Sequence, residues 1–221
     1  MTVKHVLNEQ LLMGYAAGIL PEAFNVVVAA HLSLSDESRA MLGCYEAVGG
    51  CVMEECECVD LGADALSDTL SRIKSAKIVP KKIAKCGGVL PQPLHDYVGN
   101  SVDTIKWKPL GGGVKQSILP TKGKATARLL FIPAGQAVPD HGHRGTELTL
   151  VLQGSFSDEV DHFARGDICL GGLSCVQIFP LGALMFIQRI GAGFLARQKV
   201  EGHRCKALGI IAAKLFGVAL V

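Results

Sequence analysis

Residues 135–154, GQAVPDHGHRGTELTLVLQG, place His141, His143 and Glu147 at positions of the same parity. In extended backbone alternate side chains share a face, so the three can converge on one side of a strand. Gly142 and Gly145 leave the chain free to bend around them. Two imidazoles and a carboxylate suit Zn, Fe, Mn or Ni, and the donor types do not choose among these ions. The competing reading is a pair of histidines decorating a strand edge.

A second stretch, HLSLSDESRA (31–40), spaces His31, Ser35 and Ser38 as a histidine and two cysteines would be spaced around a structural zinc. A serine hydroxyl is neutral near pH 7 and does not replace a thiolate, so this spacing holds no metal firmly by itself. Ser35 also suits the start of a helix, with Asp36 and Glu37 placed against the positive end of its dipole. Cys44, Cys51, Cys56 and Cys58 lie close by, but their spacing matches no familiar zinc module, and free cysteine commonly fills apolar core.

These groups need elements to position them. From residue 8 to about 75 apolar residues recur at helical spacing. Leu11, Leu12, Tyr15, Ile19 and Leu20 form a first stripe, with Gly18 as its stop, and Pro21 and Glu22 suit the first turn of a second helix. There Phe24, Val27, Val28, His31 and Leu32 share a face, which predicts His31 on the buried side. A third helix runs from Ser35 through Met41, Leu42, Tyr45 and Val48, with Gly49 and Gly50 as its expected stop. Leu66, Leu70 and Ile73 mark a fourth. The stretch 72–93 carries six Lys or Arg residues and Pro and Gly punctuation, and it reads as a solvated linker. Beyond residue 95 come short β-type runs, TIKWK, VKQSIL, ATARLLFI and ELTLVLQ, which suggest an antiparallel barrel or sandwich.

The chain has 221 residues and a net charge of +2, enough length for two small domains and too balanced a charge for a nucleic-acid surface. No direct nucleic-acid partner is expected. MTVKHVLNEQ lacks the apolar run of a signal peptide, so the default location is cytoplasmic, and the eight cysteines (44, 51, 56, 58, 86, 169, 175 and 205) read as reduced thiols. The apolar segments 176–196 and 207–221 are interrupted or too short to span a membrane, and buried strands or a docked terminal helix are expected there.

Against this background, 135–154 fits the first motif of the cupin superfamily, G-x(5)-H-x-H-x(3)-E-x(6)-G, through Gly135, His141, His143, Glu147 and Gly154. The second motif retains only its opening glycine, Gly166. Gly172, Ser174, Gln177 and Leu181 stand where it has Pro, Gly, His and Asn. Gln177 is the candidate fourth ligand, a weak neutral one, and His203 a distant substitute.

The tandem order of helical head, linker and single cupin resembles the ChrR-type anti-sigma factors. The resemblance rests on LLMGYAAGILPEA, HLSLSDES, VGGCVMEE, DYVG and the run through GGGVKQSILP to the cupin motif, and it covers residues 7–170. It implies an α+β multidomain chain: a small helical anti-sigma domain (1–77), a linker (78–94) and a C-terminal antiparallel β-barrel of jelly-roll-like cupin type (95–221). It further implies that the head sequesters an extracytoplasmic-function sigma factor, and that the cupin domain senses an oxidative signal, singlet oxygen or organic hydroperoxide, and triggers release. Zinc is the expected ion at His141, His143 and Glu147. In the helical domain the family's zinc site survives as a remnant of His31 and His5, the latter shifted by one position, with Ser35 and Ser38 at the cysteine positions. Zinc is therefore expected to be absent there. A regulator, not an enzyme, is the expectation. The alternatives are a metal-dependent cupin enzyme such as a dioxygenase, or a degraded homologue that binds no metal.

Overall fold

The computed structural model describes residues 3–76, 88–135, 137–138, 146–158, 161–171 and 177–190. Helix α1 (Glu9–Ala16) begins where the Asn8 side chain accepts the Leu11 N–H at 3.0 Å, and the chain leaves it through Gly18 at φ +67°. Helix α2 (Glu22–Leu32) follows Pro21 and is buried on nearly every side, with Ala23, Phe24, Val26, Val27, Val28, Ala30, His31 and Leu32 all inaccessible. The apolar stripe thus understates its burial, because α2 lies between the other helices and the sheet.

Ser35 caps α3 (Asp36–Glu54) by accepting the Ser38 N–H. This helix does not stop at Gly49 and Gly50 but runs four residues past them. Glycine in a helix interior costs only about 1 kcal/mol against alanine, which an established hydrogen-bond ladder outweighs. Helix α4 (Ala65–Ser75) occupies the start of the basic stretch and buries none of its residues. A 3-10 turn (Gln92–Leu94) leads into the short α5 (His95–Val98).

Among the described residues eight strands follow: β1 (Lys108–Gly111), β2 (Val114–Ile118), β3 (Thr126–Ile132), β4 (Ala137–Val138), β5 (Thr146–Ser157), β6 (His162–Ala164), β7 (Ile168–Gly171) and β8 (Gln177–Ile190). All pairings are antiparallel, in the order β1-β2-β3-β8-β5-β6, with β4 also on β8 and β7 also on β5. Among the described residues the sheet does not close on itself. TIKWK contributes only Lys108 to a strand. The segment 177–190 is a long strand, and Pro180 sits where its register with β5 shifts, a place that does not need the missing N–H. No helix among the described residues is long and apolar enough to cross a membrane.

Leu148, Leu150 and Leu152 of β5, with Leu184 and Phe186 of β8, join Leu7 of the N-terminal segment and the helices' Leu11, Leu12, Phe24 and Val27 in one buried cluster. Val151 and Met185 point the other way, into a second cluster with Ile132, Phe156 and Phe163. Both faces of the sheet centre are therefore covered, which is why Leu150, Val151 and Leu152 follow one another in β5 without a polar residue between them.

Candidate functional site

The α2–α3 corner brings His31, Ser35 and Ser38 together. Nδ1 of His31 lies 2.8 Å from the Gly166 carbonyl oxygen, in the turn between β6 and β7, and Nε2 lies 2.8 Å from Oγ of Ser38. A carbonyl only accepts, so Nδ1 carries the proton and Nε2 accepts from the Ser38 hydroxyl. Ser35 in turn donates to Oγ of Ser38 at 3.2 Å. Burial pushes the His31 pKa down, against the Gly166 bond and the Asp167 charge, which keeps the ring neutral. Metal-binding histidines commonly donate their second ring nitrogen to a carbonyl in this way. Here the carbonyl is kept, but two hydroxyls stand where zinc needs thiolates, and the ring nitrogen that would face the ion is occupied by Ser38. The donor set does not fit structural zinc.

His5 turns to the sheet. Its Nε2 is 2.8 Å from Oδ2 of Asp161, its Nδ1 is 3.6 Å from Oδ2 of Asp167, and its ring lies 4.3 Å from that of Phe163. Burial opposes its charge, but the Asp161 hydrogen bond and the charges of both carboxylates prevail, and its pKa is raised. Asp167 also accepts the N–H groups of Lys4 at 2.7 Å, His5 at 3.0 Å and Ala164 at 2.8 Å. Burial alone would raise the Asp167 pKa, yet these three donors and His5 hold it below the usual carboxylate range. The structure thus pairs His5 with Asp161 and Asp167. Sequence reasoning missed both carboxylates, and the only local signal was the Gly166 that opens the degenerate second motif.

In the cupin-like half, Glu147 is half-buried near the start of β5, opposite Gly171 on one side and Arg189 on the other. Gln177 opens β8 opposite Val138. The register therefore puts Gln177 beside β4 and Glu147 at the far end of β8. Gly135 and Gly154, the motif's outer glycines, both adopt positive φ, +77° and +76°, which explains their residue type. His141, His143, Gly172, Ser174 and His203 lie outside the described residues, as do 77–87 of the basic stretch and the segment 207–221.

The surface carries one more feature. Val48, Met53, Val59, Leu61, Leu66, Leu70 and Ile73 are all exposed, along the second half of α3, the connection and α4. Cys44, Cys51, Cys56 and Cys58 are exposed free thiols on the same segment. On α4 the three apolar residues recur at i, i+4 and i+7, an amphipathic stripe that no described residue buries. Exposed apolar patches of this kind mark protein-binding surfaces.

Comparison with known proteins agrees with this division. Residues 96–171 match the family described as ChrR Cupin-like domain. The chain is 53% identical over 168 residues to the anti-sigma-E factor ChrR of Cereibacter sphaeroides, covering 76% of this chain and 79% of that protein. It is similar to a chain in the crystal structure of Rhodobacter sphaeroides SigE in complex with the anti-sigma ChrR, with a TM-score of 0.75 and 46% identity over 85% of this chain and 99% of that one.

Proposed function

The chain belongs to the family of ChrR anti-sigma factors, and from that membership we propose that its helical head sequesters an extracytoplasmic-function sigma factor. The observation that carries this reading is the exposed apolar stripe of Leu66, Leu70 and Ile73 on a helix none of whose residues is buried among the described residues. A helix presenting anchors at i, i+4 and i+7 is built to lie in an apolar groove of a partner. The mechanism is competitive burial: the surface of the sigma factor that the head covers is withheld from RNA polymerase. No bond is made or broken, and the protein acts as a regulator in the cytoplasm, where the polymerase works.

The cupin-like half supplies the control. His141, His143 and Glu147 hold a divalent ion, zinc first among the candidates, and an oxidant acting there triggers release; Gln177, at the opposite end of β8 from Glu147, takes no part. Support comes from the donor types and their spacing. When bound, the metal supplies a Lewis-acidic centre with a replaceable ligand. In the head, the serines at positions 35 and 38 leave no thiolate for a second zinc.

The test is co-purification of the full chain with candidate sigma factors, followed by titration of the complex with hydroperoxide. Recovery at one-to-one stoichiometry supports the reading. A folded chain that retains no sigma factor overturns it, and a complex indifferent to every oxidant overturns the sensing half alone.

A further inference from the structure

At the α2–α3 corner the polar groups form an unbroken run. The Ser35 hydroxyl donates to Ser38 at 3.2 Å, Ser38 to Nε2 of His31 at 2.8 Å, and Nδ1–H of His31 to the Gly166 carbonyl at 2.8 Å. All three side chains are 2% exposed or less. We propose that this relay takes the place of a metal in closing the head, and that, because it ends on the β6–β7 turn, it couples the cupin-like half to the head.

A zinc held by head ligands would close the corner without help from the sheet. The relay cannot. Its terminal acceptor is a backbone oxygen of the sheet, and each member depends on the next: without the Ser38 hydroxyl, Nε2 of His31 is buried with no donor. Two independent features bind the same turn to the head. Gly166 has φ +92°, and a Cβ there would sit 2.7 Å from Cγ2 of Val3 and 3.7 Å from Cβ of Leu34, so the turn is seated against both the N-terminal segment and the corner with no spare room. Residues 4 and 5 are also laced to it, by their N–H groups on Asp167 and by the Ile168 N–H on the His5 carbonyl at 3.0 Å. The turn is itself hydrogen-bonded into β5, where the Gly166 N–H donates to the Val151 carbonyl at 2.8 Å. A displacement of β5 therefore reaches the α2–α3 corner through two hydrogen bonds. The regulatory meaning of this coupling rests on the anti-sigma reading, whereas the relay does not.

Hydrogen exchange of the full chain, read by mass spectrometry, tests the relay, with Ser38→Ala as the variant, Ser38→Thr as the hydroxyl-retaining rescue and Ser33→Ala as a control outside the run. Ser38→Ala should speed exchange about tenfold in both the corner (31–38) and the turn (164–168), the factor expected for the loss of one buried hydrogen bond, and Ser38→Thr should restore both. Faster exchange in the corner with an unchanged turn would overturn the coupling. In parallel, a chelator should leave exchange of the corner (31–38) in the unaltered chain unchanged, while the Ser35→Cys/Ser38→Cys double variant should take up one further equivalent of zinc and exchange faster at the corner when chelator is added. Stoichiometric zinc on His31 in the unaltered chain would overturn the relay. If Ser38→Ala does not fold, exchange of the unaltered chain across a denaturant series decides instead: opening of corner and turn as one unit supports the proposal, and separate opening refutes it. None of these readouts uses a sigma factor, so failure to find one overturns the proposed function alone.

Discussion

The imidazole of His31 holds the carbonyl oxygen of Gly166, 135 positions away in the chain, at 2.8 Å in a fully buried setting. The contact sits where the helical head meets the sheet, on a residue that the spacing of HLSLSDES marks as a zinc ligand. Its neighbours share one buried core with the sheet, since Leu7, Phe24 and Val27 pack with Leu148, Leu150 and Phe186. The head is therefore seated on the sheet by apolar burial and oriented by a few polar contacts.

Gly166→Ala should destabilise the chain more than Gly18→Ala. Both glycines have positive φ, which costs an L-residue about 1–2 kcal/mol, but only at Gly166 does an added Cβ meet a neighbour under 3 Å away. Thermal melts of the two variants check this, and equal losses would show that the turn is looser than it looks.

Glu22 gives the fold an acid-sensitive tie. One of its oxygens accepts the Tyr97 hydroxyl at 2.7 Å and the other the Lys122 N–H at 2.7 Å, joining α2 to α5 and to the β2–β3 connection. The Lys122 N–H, then the Tyr97 hydroxyl, hold its pKa below the ordinary 4.5, while burial and then Glu22 itself push Tyr97 up to about 12. The sign follows: a carboxylate whose pKa is depressed on folding adds stability that is fully present above 4.5 and lost as pH falls through the folded value. Glu22→Gln should therefore flatten the fall of melting temperature with pH below 4.5. An unchanged slope would remove Glu22 from the acid response.

Aspartate at Leu66, Leu70 or Ile73 should weaken the grip on a sigma factor without touching the fold. Each substitution sets a charge into an apolar interface, where loss of an anchor costs about 2 kcal/mol or more, roughly thirtyfold in affinity. Because Leu66, Leu70 and Ile73 are all exposed, thermal stability should stay within about 0.5 kcal/mol of the parent. Calorimetric titration and a melt of the same samples separate the two effects.

Metal content should depend unequally on the cupin-like ligands. His141→Ala or Glu147→Gln should cost about 100-fold or more in affinity for a divalent ion, whereas Gln177→Ala should leave it unchanged, since the register sets Gln177 at the opposite end of β8 from Glu147. Competition against a chromogenic chelator measures each. A hundredfold loss from Gln177→Ala would make the glutamine a full ligand.

What the sequence determined by itself was local. Ser35 as a cap, Pro21 at the start of α2, the buried face carrying His31 and the α4 stripe all follow from spacing and side-chain chemistry within a few residues, and they appear where expected. The runs VKQSIL, ATARLLFI and ELTLVLQ became β2, β3 and the first half of β5 for the same reason. The membership of the chain, a helical head followed by a cupin-like sheet, was legible because fixed-spacing motifs carry it. Other features needed the tertiary structure. Glycines 49 and 50 did not end α3, because termination depends on what the rest of the ladder contributes. His5 and His31, read as partners, divided between Asp161 with Asp167 and Ser38 with Gly166. Only packing decides that division: a buried polar group bonds to whichever complementary atom the fold delivers, and here the β6–β7 turn delivered both a carboxylate and a carbonyl from more than 130 residues away.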